Sequence, residues 1–369
     1  MSAFETAVFF TFTFVIASML LNYKSSVFEK YRIRYSNCVG VLLLTIIPGL
    51  QFSKFGTDIY NHQVAFYNIS QITWKELFEK TDTKIAFFSI AKLLYPLGGR
   101  ILVFSFFTFI MVLTSYLFIV SNSKKNSIYI GALVFLTGIY FTGAFNILKQ
   151  GIAVCIVLYG MRFIFKNELK QFILIVLIAT LFHPSALISI LLYFIWNHKN
   201  NAPFSREKNT YIIILSVIVI TFYQQIISFI TSTFSYYDDY SGYANINTTG
   251  RNRDFYLDLF FLLIFLLLQK KMKKYDDKSE YMLCLYIISV VIGFTGFYNP
   301  YLKRLALFFS VPSKIYLYSL IPSLFINKNN RYTIKLLMTF YFISLWLYNR
   351  GFFGSNCWTY TYDLTNRPY

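Results

Sequence analysis

Long apolar runs separated by short polar turns fill most of the chain. Runs long enough to cross a bilayer, about 20 residues each, lie at 4–21, 38–53, 101–120, 126–145, 147–165, 171–183, 184–197, 210–232, 255–269, 280–298, 304–323 and 333–349. The pattern predicts an all-α polytopic integral membrane protein with about 12 transmembrane helices in a single transmembrane domain, 1–369. Two of these runs meet at His183-Pro184. Proline disfavours helix at the residue before it, so the pair is either one broken helix or two short ones. Residues 85–95, IAFFSIAKLLY, are too short to span, carry Lys92 and run into Pro96-Leu97-Gly98-Gly99. They predict an extra interfacial or re-entrant helix.

Composition supports the class. Charged residues make up 14%, against about 25% in soluble domains. Tyr and Phe number 31 and 42, which suits many membrane–water boundaries. A net charge of +18 would point to nucleic acid in a soluble protein. Here the cations sit in short alternating loops: Lys24 to Arg34, Lys124 and Lys125, Arg162 to Lys170, Lys199 to Lys208, Lys270 to Lys278, and Lys328 to Lys335. They set topology and meet anionic lipid, so no nucleic-acid partner is expected. The positive-inside rule makes those loops cytoplasmic. Both termini, the 53–100 segment with its short helix and the 233–254 loop then face outward. Glu5 stands ahead of the first apolar run where a signal peptide would be basic, so that run reads as a membrane helix. Cys38, Cys155, Cys284 and Cys357 follow no metal or redox spacing.

The outer face collects the candidate chemistry, and each group has a plainer alternative. Asp58 and Tyr60 follow the second run, where Asp is also an ordinary turn former. Asn146, Lys149 and Gln150 open the fifth. Asn146 and Gln150 share a helix face, and Lys149 either snorkels to the headgroups or lines a cavity. His183 and Ser185 lie at the far end of the returning helix, which brings them to the same rim. A histidine there is a satisfied polar group, a proton-transfer residue or a group that holds a substrate phosphate or hydroxyl. Arg251 and Arg253 precede the ninth run, with Asp254 and Asp258 one turn apart. Helix capping accounts for Asp254 better than for Asp258. Lys303 and Arg304 open the eleventh run, where cations oppose the helix dipole unless an anion joins them. Lys314 falls near mid-bilayer and needs a partner; Gln224 and Gln225 are candidates.

Three of these clusters carry a resemblance. Gly56-Thr57-Asp58-Ile59-Tyr60 with Tyr67 downstream, Asn146-Ile147-Leu148-Lys149-Gln150-Gly151, and Leu181-Phe182-His183-Pro184-Ser185-Ala186 resemble, in order and spacing, elements of the EpsG/Wzy-type polysaccharide polymerase family. Lys149 stands where that family usually has Arg, which turns a bidentate fork into a point charge. The resemblance implies extension of O-antigen or capsule chains at the outer face of the bacterial cytoplasmic (inner) membrane. Donor and acceptor are repeat units on undecaprenyl diphosphate, and a chain-length regulator is a candidate partner. The leaving diphosphate needs cations, for which Arg304, Lys303, Arg251 and Lys149 are the candidates. His183 and Asp58 are the catalytic candidates. Tyr60, Asn146, Gln150 and Asp258 are the positioning ones. The sequence has no DxD and no His–carboxylate metal set, so no metal or other cofactor is expected. The Tyr- and Asn-rich stretch 233–250 is where repeat-unit specificity is expected.

Three other functions use similar residues. A flippase or transporter of lipid-linked glycan would use Lys149, Lys314 and Asp258 for ion coupling, but no internal repeat is visible. An O-antigen ligase shares the donor, yet usually carries a large late outer loop. A membrane acyltransferase also needs a membrane histidine, but its Asn/Asp–His companion is not evident.

Overall fold

Inside a bilayer each backbone N–H and C=O must find its partner within the chain, so apolar runs fold as helices. The computed structural model describes residues 2–22, 35–50, 58–80, 84–123, 128–197, 202–203, 252–297 and 303–348. Its helices are α1 (Ala3–Asn22), α2 (Tyr35–Gly49), α3 (Ile59–Gln71), α4 (Trp74–Lys80), α5 (Ile85–Asn122), α6 (Ile128–Phe135), α7 (Phe141–Phe145), α8 (Leu148–Phe165), α9 (Leu169–Thr180), α10 (Ile190–Ile195), α11 (Arg253–Tyr275), α12 (Lys278–Phe294), α13 (Leu307–Leu320) and α14 (Lys328–Trp346). The only strands among the described residues are the two-residue antiparallel pair Trp196–Asn197 and Ala202–Pro203.

Six helical stretches among the described residues are long and apolar enough to cross a membrane: Phe4–Asn22, Ile85–Asn122, Ile128–Phe145, Leu148–Phe165, Lys278–Phe297 and Arg304–Leu324. Tyr35–Gly49, Leu169–Thr180 and Pro184–Ile195 are shorter apolar helices. The chain is therefore an α-helical membrane protein. α11 and α14 overlap the expected spans at 255–269 and 333–349, but neither is among the six helices apolar enough to cross, so the described residues show six candidate spans against about 12 expected. The expected span at 210–232 lies outside the described residues, as do Gly56, Thr57, Arg251 and most of the 233–254 loop.

The helix expected near 85–95 is present and ends within two residues of that reading. The run α5 is two helices that meet at a kink, because Gly98 (φ −161°, ψ 21°) and Gly99 (φ 57°, ψ −154°) leave the helical conformation just after Pro96. The Gly99 conformation is closed to residues with a Cβ. Lys92, out of place in an apolar run, donates to the carbonyls of Ile69 and Ile72 at the C-terminal end of α3, where a cation meets the negative end of the helix. At His183-Pro184 the chain forms two short helices. α9 ends at Thr180, and Pro184 opens a 3₁₀ turn, Pro184–Ser189, that leads into α10.

The chain packs as two units, one of Met1–Arg162, Leu174–Ala186 and Tyr318–Tyr369, the other of Phe163–Ile173 and Leu187–Leu317. In the first, α2 lies close against α5 because Gly49 leaves room for Ser105 and for the carbonyl of Ile101, which an added Cβ would meet at 2.8 Å. Phe66 of α3 meets Phe87 and Phe104 of α5 at 5.4 and 5.2 Å, and Phe87 stacks on Phe107 at 4.5 Å. A second aromatic cluster joins Phe10 and Phe14 of α1, Phe141 of α7 and Trp346 of α14, with ring edges on faces at 5.2 Å. In the second unit α11 lies along α12, with Phe265 edge-on to Tyr286 at 5.3 Å. Phe165, Trp196 and Tyr281 form a T-shaped trio, and the Tyr281 hydroxyl donates to Leu192 O at 2.9 Å.

Candidate functional site

The span Ile128–Phe145 does not run straight. Between α6 and α7 the backbone widens into a π turn, Leu136–Tyr140, around Gly138 (φ −99°, ψ −105°). Only Asn146 and Ile147 separate α7 from α8. So tight a return needs small residues where the helices meet. Gly143 and Gly151 supply them: a Cβ on Gly151 would stand 2.8 Å from the Gly143 Cα and 3.1 Å from Met111 Cε. The turn sets Asn146 at its tip and Lys149 and Gln150 in the first turn of α8.

Gln150 is buried, and its amide nitrogen reaches Ser185 Oγ at 3.4 Å. Ser185 Oγ lies 2.7 Å from His183 Nδ1, and the Ser185 backbone N–H points at the same nitrogen at 3.3 Å. A nitrogen that accepts a backbone N–H carries no proton of its own in the neutral ring. The Ser185 hydroxyl therefore donates to Nδ1 and accepts from Gln150, and the imidazole proton sits on Nε2. His183 is anchored by its own N–H, which donates to Ala179 O at 3.0 Å at the end of α9. The two polar clusters read from sequence as meeting at one rim are joined by this relay.

Lys149 rests its ammonium over the rings of Phe87 and Phe88, at 5.3 and 4.8 Å from their centroids. Lys84 and Asp58 are the charged groups that act on it. Asp58 occupies the N-cap position of α3 but makes no capping hydrogen bond, so its carboxylate is not spent on helix termination.

Beneath this group lie two residues that sequence reasoning passed over. His62 is buried, near-parallel to Phe66 at 6.2 Å and 5.8 Å from Phe87. Burial, and then the charge of Lys149, lower its pKa to about 3, so the ring is neutral. Gln63 is 3% exposed, and neither end of its amide has a hydrogen-bond partner among the described residues. The signal was present as a stripe. Ile59, His62, Gln63, Phe66 and Ile69 are the buried residues of α3, at the spacing of one helix face. Two polar members disguise it. Tyr60, on the opposite side, is 53% exposed.

The remaining candidates fall in the second unit. Lys303 pairs with Asp254 Oδ2 at 2.7 Å and donates to Asn252 Oδ1 at 2.9 Å. Arg304 opens a 3₁₀ turn, Arg304–Ala306, and Arg253 opens α11. Lys314 contacts both oxygens of Asp258, at 2.7 and 2.9 Å, and the Tyr286 hydroxyl donates to the same carboxylate at 3.3 Å. The counterion that Lys314 requires is thus Asp258, and the alternative partners Gln224 and Gln225 lie outside the described residues. Asp58, Tyr60, Asn146, Lys149, Gln150 and His183 belong to one unit; Asp258, Lys303 and Arg304 belong to the other.

No curated protein and no solved structure matches the chain. The EpsG family model matches it from residue 34 to residue 362, a stretch that takes in the Asn146–Gln150 turn, the His183 relay and both ion pairs, and the chain accordingly belongs to the EpsG family.

Proposed function

We propose that the chain polymerises lipid-linked polysaccharide repeat units of an O-antigen or capsule at the outer face of the bacterial inner membrane. Family membership supports a membrane polysaccharide polymerase in general terms. The finer reading takes undecaprenyl diphosphate as the donor carrier and about 12 spans with both termini outside. The observation that supports it is the Gln150–Ser185–His183 relay, which links two of the three motifs; Asp58 acts on Lys149, the neighbour of Gln150, through its charge.

In the reaction, a hydroxyl at the non-reducing end of one lipid-linked unit attacks the anomeric carbon of the growing chain. The bond from that carbon to the diphosphate oxygen breaks, and the diphosphate leaves with the bonding pair. The hydroxyl proton goes to a base. Asp58, whose carboxylate makes no cap bond, takes that role. His183 has Nδ1 occupied by Ser185 and serves instead as an Nε2–H donor to a substrate oxygen. In the first unit Lys149 is the candidate cation for the diphosphate; in the second, Lys303, Arg304 and Arg251 are the candidates. Gln150, Asn146, Tyr60 and Asp258 position the sugars and the groups that bind them. A chain-length regulator is a further candidate partner.

The test is polymer laddering by the purified full chain in nanodiscs, with lipid-linked units and a chelator. Wild type is expected to give the full ladder, and His183→Ala to lose about 100-fold in rate. A ladder that appears only with added divalent ion, or full ladders from both His183→Ala and Arg304→Ala, would overturn the reading. Deletion in the source bacterium separates the rivals. A retained core-plus-one-unit band without the ladder supports polymerisation, whereas loss of every unit band supports a flippase or a ligase.

A further inference from the structure

Two ion pairs of the second unit, Lys314–Asp258 and Lys303–Asp254, are built differently. Asp258 and Lys314 are 23% and 30% exposed, and both carboxylate oxygens are engaged. Asp254 and Lys303 are 51% and 33% exposed and meet at 2.7 Å. The first pair is closed, whereas the second has an acid standing half in solvent.

What holds Lys303 in place is a separate group. Asn252 is 4% exposed and donates its amide N–H to Gly293 O at 2.8 Å. That bond turns its oxygen toward Lys303 Nζ, which it receives at 2.9 Å. Gly296 packs against both, and a Cβ there would stand 2.6 Å from Asn252 Nδ2 and 2.8 Å from Lys303 Cδ. The ammonium is therefore seated by a buried amide, in a slot where Gly296 leaves both side chains room. Its charged partner is half-exposed, and pairs of that kind contribute little to stability.

We propose that Asp254 is an exchangeable stand-in for phosphate. A diphosphate displaces its carboxylate from Lys303, Asn252 and Gly296 keep the ammonium in position, and the carboxylate returns as the diphosphate departs. This rests on the diphosphate leaving group proposed above, and it gives Asp254 a role in product release. The ammonium keeps an anionic partner throughout, so no bare cation is left in the slot between turnovers.

The test uses the full chain in phosphatidylcholine nanodiscs, titrated calorimetrically with inorganic pyrophosphate. Asp254→Asn and Asp254→Ala are expected to bind about tenfold tighter than wild type, and Lys303→Ala to lose binding. Asp277→Asn removes the same charge from an exposed position elsewhere in the unit and is expected to leave affinity unchanged. In turnover, Asp254→Asn is expected to lower KM and kcat together, as slow release of product requires. No gain from either Asp254 variant, or an equal gain from Asp277→Asn, overturns the exchange. Phosphatidylglycerol added to the disc identifies the phosphate source. Unchanged pyrophosphate affinity assigns the slot to a substrate diphosphate and weakened affinity assigns it to a lipid headgroup; the exchange stands in both. Wild type that binds pyrophosphate in this way but makes no polymer keeps the exchange and removes the polymerase reading. Polymerisation with unchanged Asp254→Asn affinity does the reverse.

Discussion

Gln63 is the residue whose chemistry is least settled by its neighbours. A buried amide without partners costs about 1–3 kcal/mol per unmet group, and both ends of this one are unmet among the described residues. Gln63→Met keeps the shape and removes the unmet atoms. It is expected to raise the thermal midpoint of the detergent-solubilised chain, by the equivalent of about 1–3 kcal/mol; a lowered midpoint would show that the amide is bonded in the folded protein. Stability gained with polymer yield lost would place Gln63 among the residues that hold substrate, the trade common to active sites. At this scale the sequence displayed the charged and imidazole groups but not their pairings. Lys314 and Asp258 lie 56 positions apart, and no periodicity within either helix joins them.

The Asn146 turn is an element-scale construction, and its critical residues have no side chains. Gly151→Ala puts a methyl against the Gly143 backbone, with an added Cβ 2.8 Å from its Cα. Backbone cannot yield as the tip of a flexible side chain can, so α8 must shift, at about 1–3 kcal/mol. Polymer yield is expected to fall further than stability does, because Lys149 and Gln150 ride on the first turn of α8. Equal activity at wild-type levels would show that the turn tolerates displacement. The spans around 126–145 and 147–165 were legible because apolar length alone marks a crossing helix. The π turn at Gly138 was not, since one glycine in an apolar run has no sequence signature apart from its neighbours. α3 stayed hidden for a related reason: His62 and Gln63 occupy core positions that a hydrophobic count scores as surface.

For the whole molecule, orientation is the reading on which the polymerase proposal depends. With Cys38, Cys155, Cys284 and Cys357 replaced by Ser, a cysteine at Trp74 is expected to react with a membrane-impermeant maleimide in whole-cell or spheroplast preparations. A cysteine at Lys166 is expected to react only after the membrane is opened. The reverse pattern would move the His183 relay to the cytoplasmic side and exclude polymerisation at the outer face. The expectation of this orientation comes from the loop charges, which alternate along the chain as a topology signal does. The six helices that meet the length and apolarity requirement carry no such direction of their own.

The aromatic cluster of Phe10, Phe14, Phe141 and Trp346 also sets a schedule for biogenesis. Its first and last members, Phe10 and Trp346, are made more than three hundred residues apart. At roughly 5–20 residues per second, α1 waits on the order of tens of seconds for α14. During that interval the faces of Phe10 and Phe14 that later receive Trp346 have only lipid, the insertion machinery or a chaperone to cover them. Trp346 closes the cluster late, so a chain cut short before α14 leaves the first helix without its final partner and exposes it to membrane quality control.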